Sequence, residues 1–170
     1  MRRTFADELY KWMEKDPNIW LIVGDLGYKV FDNIRDRFPE RFLNPGAAEQ
    51  AMMGIAVGLA LEGKKPFVYS ITPFLLYRAF ETIRNYISHE SIPVRLVGSG
   101  RDQDYKHDGW SHDASDAKLL FNYLSPQKGE WISGPLSKIG TMWPDNIDQV
   151  VECVQHMVQS DKPSFISLRR

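Results

Sequence analysis

At 170 residues, 43% of them hydrophobic, the chain has the length of one domain and is apolar enough to bury a sizeable core. Its 21 basic and 22 acidic residues give a formal net charge of −1, which excludes the electrostatic footprint of a nucleic-acid or anionic-membrane binder. A single cysteine, Cys153, excludes an intrachain disulfide, and neither a signal peptide nor an apolar run of bilayer length is present, so a soluble cytoplasmic protein is expected.

Phe5, Leu9, Trp12 and Met13 recur at helical spacing, predicting a first helix that stops before Asp16-Pro17. Residues 19–23 form a continuous apolar run, the pattern of a short strand covered on both faces, and lead into the tight loop Gly24-Asp25-Leu26-Gly27. A shorter helix over 30–38 is closed by Pro39, and 41–43 make a brief strand. Asn44-Pro45-Gly46 then turns the chain into a helix over 47–61 in which Glu49 is the only charged side chain. Met52, Ala56, Leu59 and Ala60 share one face of it. Ala51, Ile55 and Gly58 opposite are also small or apolar, the composition of a helix buried all round. Gly63, Lys64 and Lys65 supply a C-cap and closing cations.

Strands are predicted over 66–71 and 94–97, separated by a helix over 74–87 that turns Leu76, Phe80, Ile83 and Ile87 to the core. A long polar loop occupies 98–115. Beyond it the pattern predicts a helical turn over 118–123, an irregular stretch over 125–134 and a strand over 139–142. A final helix, capped by Asp145, carries Ile147, Val150, Val151, Val154 and Met157 at helical spacing, and a strand follows over 165–168. Short apolar strands alternating with helices imply an α/β fold, a three-layer α/β/α domain over 1–170 with a mostly parallel sheet of about six strands. Ligands of such sheets bind beyond the carboxyl ends of the strands, which gathers the loops 24–27, 44–49, 70–74 and 98–115 at one edge.

Those loops hold the unusual chemistry. Glu49, a lone acid at the entrance of an apolar helix, has two readings. A first-turn carboxylate is stabilised by the helix dipole by roughly 0.3–1 kcal/mol. Alternatively, a desolvated glutamate holds its proton more tightly and is suited to share it with a ring nitrogen. Asp108-Gly109-Trp110-Ser111-His112 is by itself a weak motif that reads as an Asx-type turn with a surface histidine. His89, His107 and His156 read as solvated.

The ordered set of motifs resembles the pyrimidine-binding domain of the transketolase family, which includes transketolase, 1-deoxyxylulose-5-phosphate synthase and the β subunits of 2-oxoacid dehydrogenases. The resemblance is carried by Asn44-Pro45-Gly46-Ala47-Ala48-Glu49-Gln50 with Gly54 to Ala60, by Gly24-Asp25-Leu26, by Tyr69 to Phe74 with Arg78-Ala79-Phe80, and by Arg101 with Asp108 to His112. It implies a transferase dependent on thiamine diphosphate. Glu49 would bond to the aminopyrimidine ring nitrogen, promoting the imino tautomer that deprotonates the thiazolium carbon. Phe74 or Tyr77 would stack on that ring, and Asp25 would lie in the cofactor loop. Asp108, His112, Arg101, Arg78 and Tyr69 would face the substrate, the guanidinium groups suiting a phosphate or carboxylate. The sequence departs from the family in placing Gly100 about where transketolase has a histidine, and Trp110-Ser111 where Pro and Thr are usual.

The Gly-Asp-Gly element of the family's pyrophosphate domain does not occur, and the C-terminal domain is not represented either. The resemblance therefore implies a separately encoded pyrophosphate-domain subunit holding most of the Mg2+ contacts, in an α2β2 assembly that also covers the uncharged helix; no metal ligands are assigned to this chain. The expected activity is transfer of a two-carbon ketol unit between sugars. A two-component 2-oxoacid decarboxylase, a deoxyxylulose-phosphate-synthase-like enzyme and a non-catalytic scaffold of the same fold are the alternatives. A generic nucleotide-binding domain is disfavoured because no Gly-x-Gly-x-x-Gly or P-loop string occurs.

Overall fold

The computed structural model describes residues 1–124 and 139–170, with the side chain of Tyr123 left aside; the expected irregular stretch over 125–134 lies outside the described residues. The strands are β1 (Ile19–Val23), β2 (Phe42–Leu43), β3 (Lys65–Ile71), β4 (Arg95–Ser99), β5 (Gly140–Met142) and β6 (Ser164–Leu168). They form one sheet in the order β2-β1-β3-β4-β6-β5, and every pairing is parallel. Helix α1 (Arg2–Lys15) precedes the sheet, and α2 (Asp32–Arg37), α3 (Glu49–Leu61), α4 (Thr72–Tyr77), α5 (Phe80–Thr82), α6 (Ala117–Leu124) and α7 (Ile147–Gln159) lie in the connections between strands.

Two cores sandwich the sheet. On one face Phe5, Leu9 and Met13 of α1, Ile34 of α2 and Val150, Val154 and Met157 of α7 pack on Leu21, Phe67, Tyr69, Val97 and Ile166. On the other, Met52, Met53 and Ala56 of α3, Leu75 and Leu76 of α4 and Phe121 of α6 pack on Ile22, Val68, Leu96 and Phe165. Alternation along each strand thus sends neighbouring side chains to opposite cores, which explains strands that are apolar without a break. α3 buries its inner face only: Ala51, Gly54, Gly58 and Leu61 face outward and are exposed in the lone chain.

Two local expectations are corrected. The helix predicted over 74–87 is broken after Tyr77, and beyond α5 it continues as a π-helix, Ile83–His89. This retains Leu76, Ile83 and Ile87 in the core and leaves Phe80 half-buried. α7 is capped by Asn146, whose side chain accepts from the Gln149 N–H, rather than by Asp145, which is drawn away by Arg101. Arg95 at the start of β4 is buried. Its guanidinium donates to Met157 O at 3.0 Å, Ser160 O at 2.7 Å and Pro93 O at 2.6 Å, so a cation closes the carboxyl end of α7. Burial lowers its pKa to about 10.

Thr72 opens α4 by donating to Gly100 O at 2.6 Å and Ser99 O at 3.2 Å, and this fastens the loop after β4 to β3. Gly98 makes room for that contact, since a Cβ there would stand 2.6 Å from Thr72 Oγ1 and 2.9 Å from Phe165. Gly98→Ala is therefore expected to destabilise the chain by roughly 1–3 kcal/mol, as overpacked cores do, measured by urea denaturation with an unchanged slope.

Candidate active site

Strand order reverses between β1 and β3. The chain leaves β1 toward α2 on one face and leaves β3 into α4 on the other, so a crevice opens at their carboxyl ends. The β1 loop is tied across this edge by Asn44, whose Oδ1 accepts from Asp25 N at 3.0 Å and Gly46 N at 3.1 Å. Gly46, with φ 85°, completes the turn that aims α3 into the crevice.

Glu49 is the first residue of α3 and only 2% exposed. Ser70 Oγ donates to its Oε1 at 2.9 Å, and Arg78 Nη1 lies 2.8 Å from its Oε2. Gly24 forms the opposite wall, where a Cβ would come within 3.3 Å of Oε1 and 3.0 Å of Met52 Sδ. The Arg78 guanidinium also lies over the Phe74 ring, 3.8 Å from its centroid. His112 meets the same ring edge-on, with centroids 4.8 Å apart, and its Nδ1 is 3.0 Å from Ser111 Oγ. One carboxylate, one guanidinium, one imidazole and one phenyl ring therefore occupy a single contiguous patch. Such a group can hold a flat heteroaromatic ring by one face and share a proton with a nitrogen on its edge.

The structure separates the other expected residues from this patch. Tyr69 does not face substrate: it points to the opposite core, fully buried, its ring 4.7 Å from Phe31, and burial raises the pKa of its hydroxyl. Strand alternation assigns the inward position to Ser70, which the sequence reading passed over. Arg101 is not a free anion fork. It is 4% exposed and donates to Ser167 O at 2.6 Å, Pro144 O at 2.7 Å and Asp145 Oδ1 at 3.1 Å, while burial, with Arg169 nearby, lowers its pKa. Tyr77 turns from the ring pocket to donate to Asp116 Oδ1 at 2.6 Å; burial and that carboxylate raise its pKa. Arg78 is committed to Glu49 and Phe74 rather than extended toward a substrate anion.

Asp25 has φ 52° and accepts from Tyr28 Oη at 2.7 Å. Asp108 is exposed, 3.3 Å from His107 Nε2. Gly100, with φ 81°, lies against the Tyr105 ring, and a Cβ there would collide with it. Trp110 is 86% exposed on the short turn that carries His112.

A doubly wound parallel sheet with a buried glutamate and an aromatic ring at its switch point defines an α/β domain with a candidate ligand crevice at the carboxyl ends of its strands. The chain belongs to the transketolase pyrimidine-binding domain family, whose match spans residues 1–170. It is 36% identical over 113 residues to a protein of Methanocaldococcus jannaschii described as a transketolase C-terminal section, covering 66% of this chain and 36% of that protein. It is 30% identical over 124 residues to a 6-deoxy-6-sulfo-D-fructose transketolase subunit of a Clostridium species, covering 72% and 38% respectively. The chain thus spans little more than a third of these relatives. Among solved structures, a split-gene transketolase in an inactive β4 tetramer superposes with a TM-score of 0.81 at 29% identity, over 99% of this chain and 51% of that one. The transketolase of Leishmania mexicana, at 17% identity and TM-score 0.82, shares the fold over 99% of this chain and 25% of its own. No helix among the described residues is long and apolar enough to cross a membrane.

Arg101 joins β6, the loop after β4 and the approach to α7 through buried donors. Arg101→Ala is expected to cost about 3 kcal/mol, since its acceptors are left without donors in the interior. A fall in the thermal midpoint without any change in cofactor affinity is the expected result.

Proposed function

We propose that this chain is the pyrimidine-domain subunit of a split thiamine-diphosphate-dependent transketolase-like enzyme that moves a two-carbon ketol unit between sugar substrates. The observation that carries the reading is Glu49, an acid almost wholly removed from water, beside Phe74 at the crevice of the sheet. Likeness to relatives named as transketolase sections and subunits supports the same reading. A separately encoded subunit would grip the diphosphate through Mg2+, in an α2β2 assembly in the cytoplasm. The exposed small-residue face of α3 is available for burial in that assembly.

The residues of this chain fit the aminopyrimidine half of the cofactor. Bound thiamine diphosphate supplies a carbanion-stabilising centre for breaking and making the ketose carbon–carbon bond. Glu49 would hold a proton at the ring nitrogen, its carboxylate oriented by the Ser70 hydroxyl. Phe74 would cover one face of the ring and exclude water. His112, against Phe74, would donate to ketose oxygens, with Asp108 at the outer rim of the same loop. A synthase-like condensation is the second reading, favoured by 33% identity to 1-deoxyxylulose-5-phosphate synthase of Clostridium perfringens over 78% of this chain.

Assayed alone with thiamine diphosphate and Mg2+, the chain is expected to show no ketose turnover, and turnover is expected to appear with its pyrophosphate-domain subunit; full activity from the lone chain would refute the split arrangement. In the complex, Glu49→Gln should lower kcat by about 10²–10⁴-fold with little change in thermal midpoint, the range typical of losing a positioned acid–base group. His112→Ala should reduce kcat/KM for ketose by about 10²-fold while cofactor affinity stays nearly constant. Equal loss in both quantities would remove His112 from the substrate shell.

A further inference from the structure

Arg78 is placed where a ring bound between Glu49 and Phe74 would have to lie. Its Nη1 is 2.8 Å from Glu49 Oε2 and its guanidinium carbon stands 3.8 Å from the Phe74 centroid, so one planar cation meets both the carboxylate and the aromatic face. A guanidinium is flat, carries N–H donors on its edge and stacks on aromatic rings, the same three properties that an aminopyrimidine presents. Its side chain is 45% exposed, against 1% for that of Glu49, so the cation has open space to swing into and the acid has none.

We infer that Arg78 is a stand-in for the aminopyrimidine: it pairs with Glu49 and covers Phe74 until the ring displaces it. The inference rests on the functional reading above. A carboxylate sealed from water needs a counter-charge, and removing one partner of such a pair is strongly destabilising. Around Glu49 the structure places the Ser70 hydroxyl from β3, Arg78 beyond α4 and Gly24 with Met52 Sδ; the neighbouring carboxylate of Asp25 is turned to Tyr28, and Gln50 donates to Thr82. Arg78 is therefore the positive charge that faces the acid among the described residues. When the ring takes its place, the carboxylate loses that charge and gains a basic nitrogen. One proton enters from solvent and is shared between Glu49 and the ring, while Arg78 remains protonated and moves outward. Cofactor entry and proton uptake become one event, and the guanidinium swings toward the substrate mouth as the ring takes its place.

The test uses the complex of this chain with its pyrophosphate-domain subunit at saturating Mg2+. Thiamine diphosphate association is followed by stopped-flow fluorescence, and proton uptake by titration calorimetry in two buffers of different ionisation enthalpy. The wild-type complex should take up more protons per site than the Glu49→Gln complex, by about half a proton or more. Arg78→Ala should bind the cofactor about tenfold faster, because the competent state is no longer a minor one. Arg78→Lys, which keeps the charge without the flat stack, should fall between the two and serves if the alanine variant folds poorly. In the lone chain Arg78→Ala should lower the thermal midpoint, and adding Glu49→Gln should restore part of it. Association by the Arg78 variants no faster than wild type, while Glu49-dependent binding persists, overturns the stand-in and leaves the functional reading intact. Failure of the wild-type complex to bind thiamine diphosphate overturns both.

Discussion

A single charge held away from water governs this domain. Glu49 is confined by Gly24 on one side and by Ser70 on the other, and its second oxygen is matched by Arg78. These residues come from the loop after β1, from β3, from α3 and from the segment after α4, and they meet because the sheet order reverses between β1 and β3. Desolvating a carboxylate costs several kcal/mol after relaxation, so the surrounding groups have to be fixed before the acid is buried. Asn44 fixes the β1 loop, and Thr72 fixes the β4 loop. The scaffold is best understood as the means of making that burial tolerable.

Two other buried cations take no part in the crevice. Arg101 and Arg95 each spend their donors on backbone carbonyls, stitching β6 and α7 to the middle of the sheet. They are cations of the interior, and their partners are mostly neutral oxygens rather than acids. Arg78 differs in having one flank in solvent, and this makes it the guanidinium free to change partner.

The fold was legible in the sequence because its strands are apolar without a break and its helices repeat at 3.6 residues. The six strands and a mostly parallel sheet followed from the alternation of strands with helices, while the order of the strands did not. Glu49 was legible for a related reason, being one acid in an apolar helix. Tyr69 and Ser70 show where such reading stops: in a strand covered on both faces, hydrophobicity does not say which of two adjacent residues turns to which core, and the aromatic one was chosen wrongly. Arg101 was misassigned because an arginine in a polar loop carries no mark of burial; its acceptors, Pro144 and Ser167, lie over forty residues away. The break in the helix over 74–87 was hidden by an uninterrupted apolar spacing, with neither Gly nor Pro at residues 77–79 to announce it.

Gly100 carries a consequence for how the specificity of this mouth can change. With a left-handed backbone and the Tyr105 ring seated on its Cα, the position is closed to a histidine of the transketolase kind by any single codon change. A smaller residue at 105 would have to come first, and it would loosen the hydroxyl contacts that Tyr105 makes with Ser99 and Arg2. Positions 100 and 105 are thus coupled: a side chain at the first requires a smaller ring or none at the second, and the exchange loosens the end of β4.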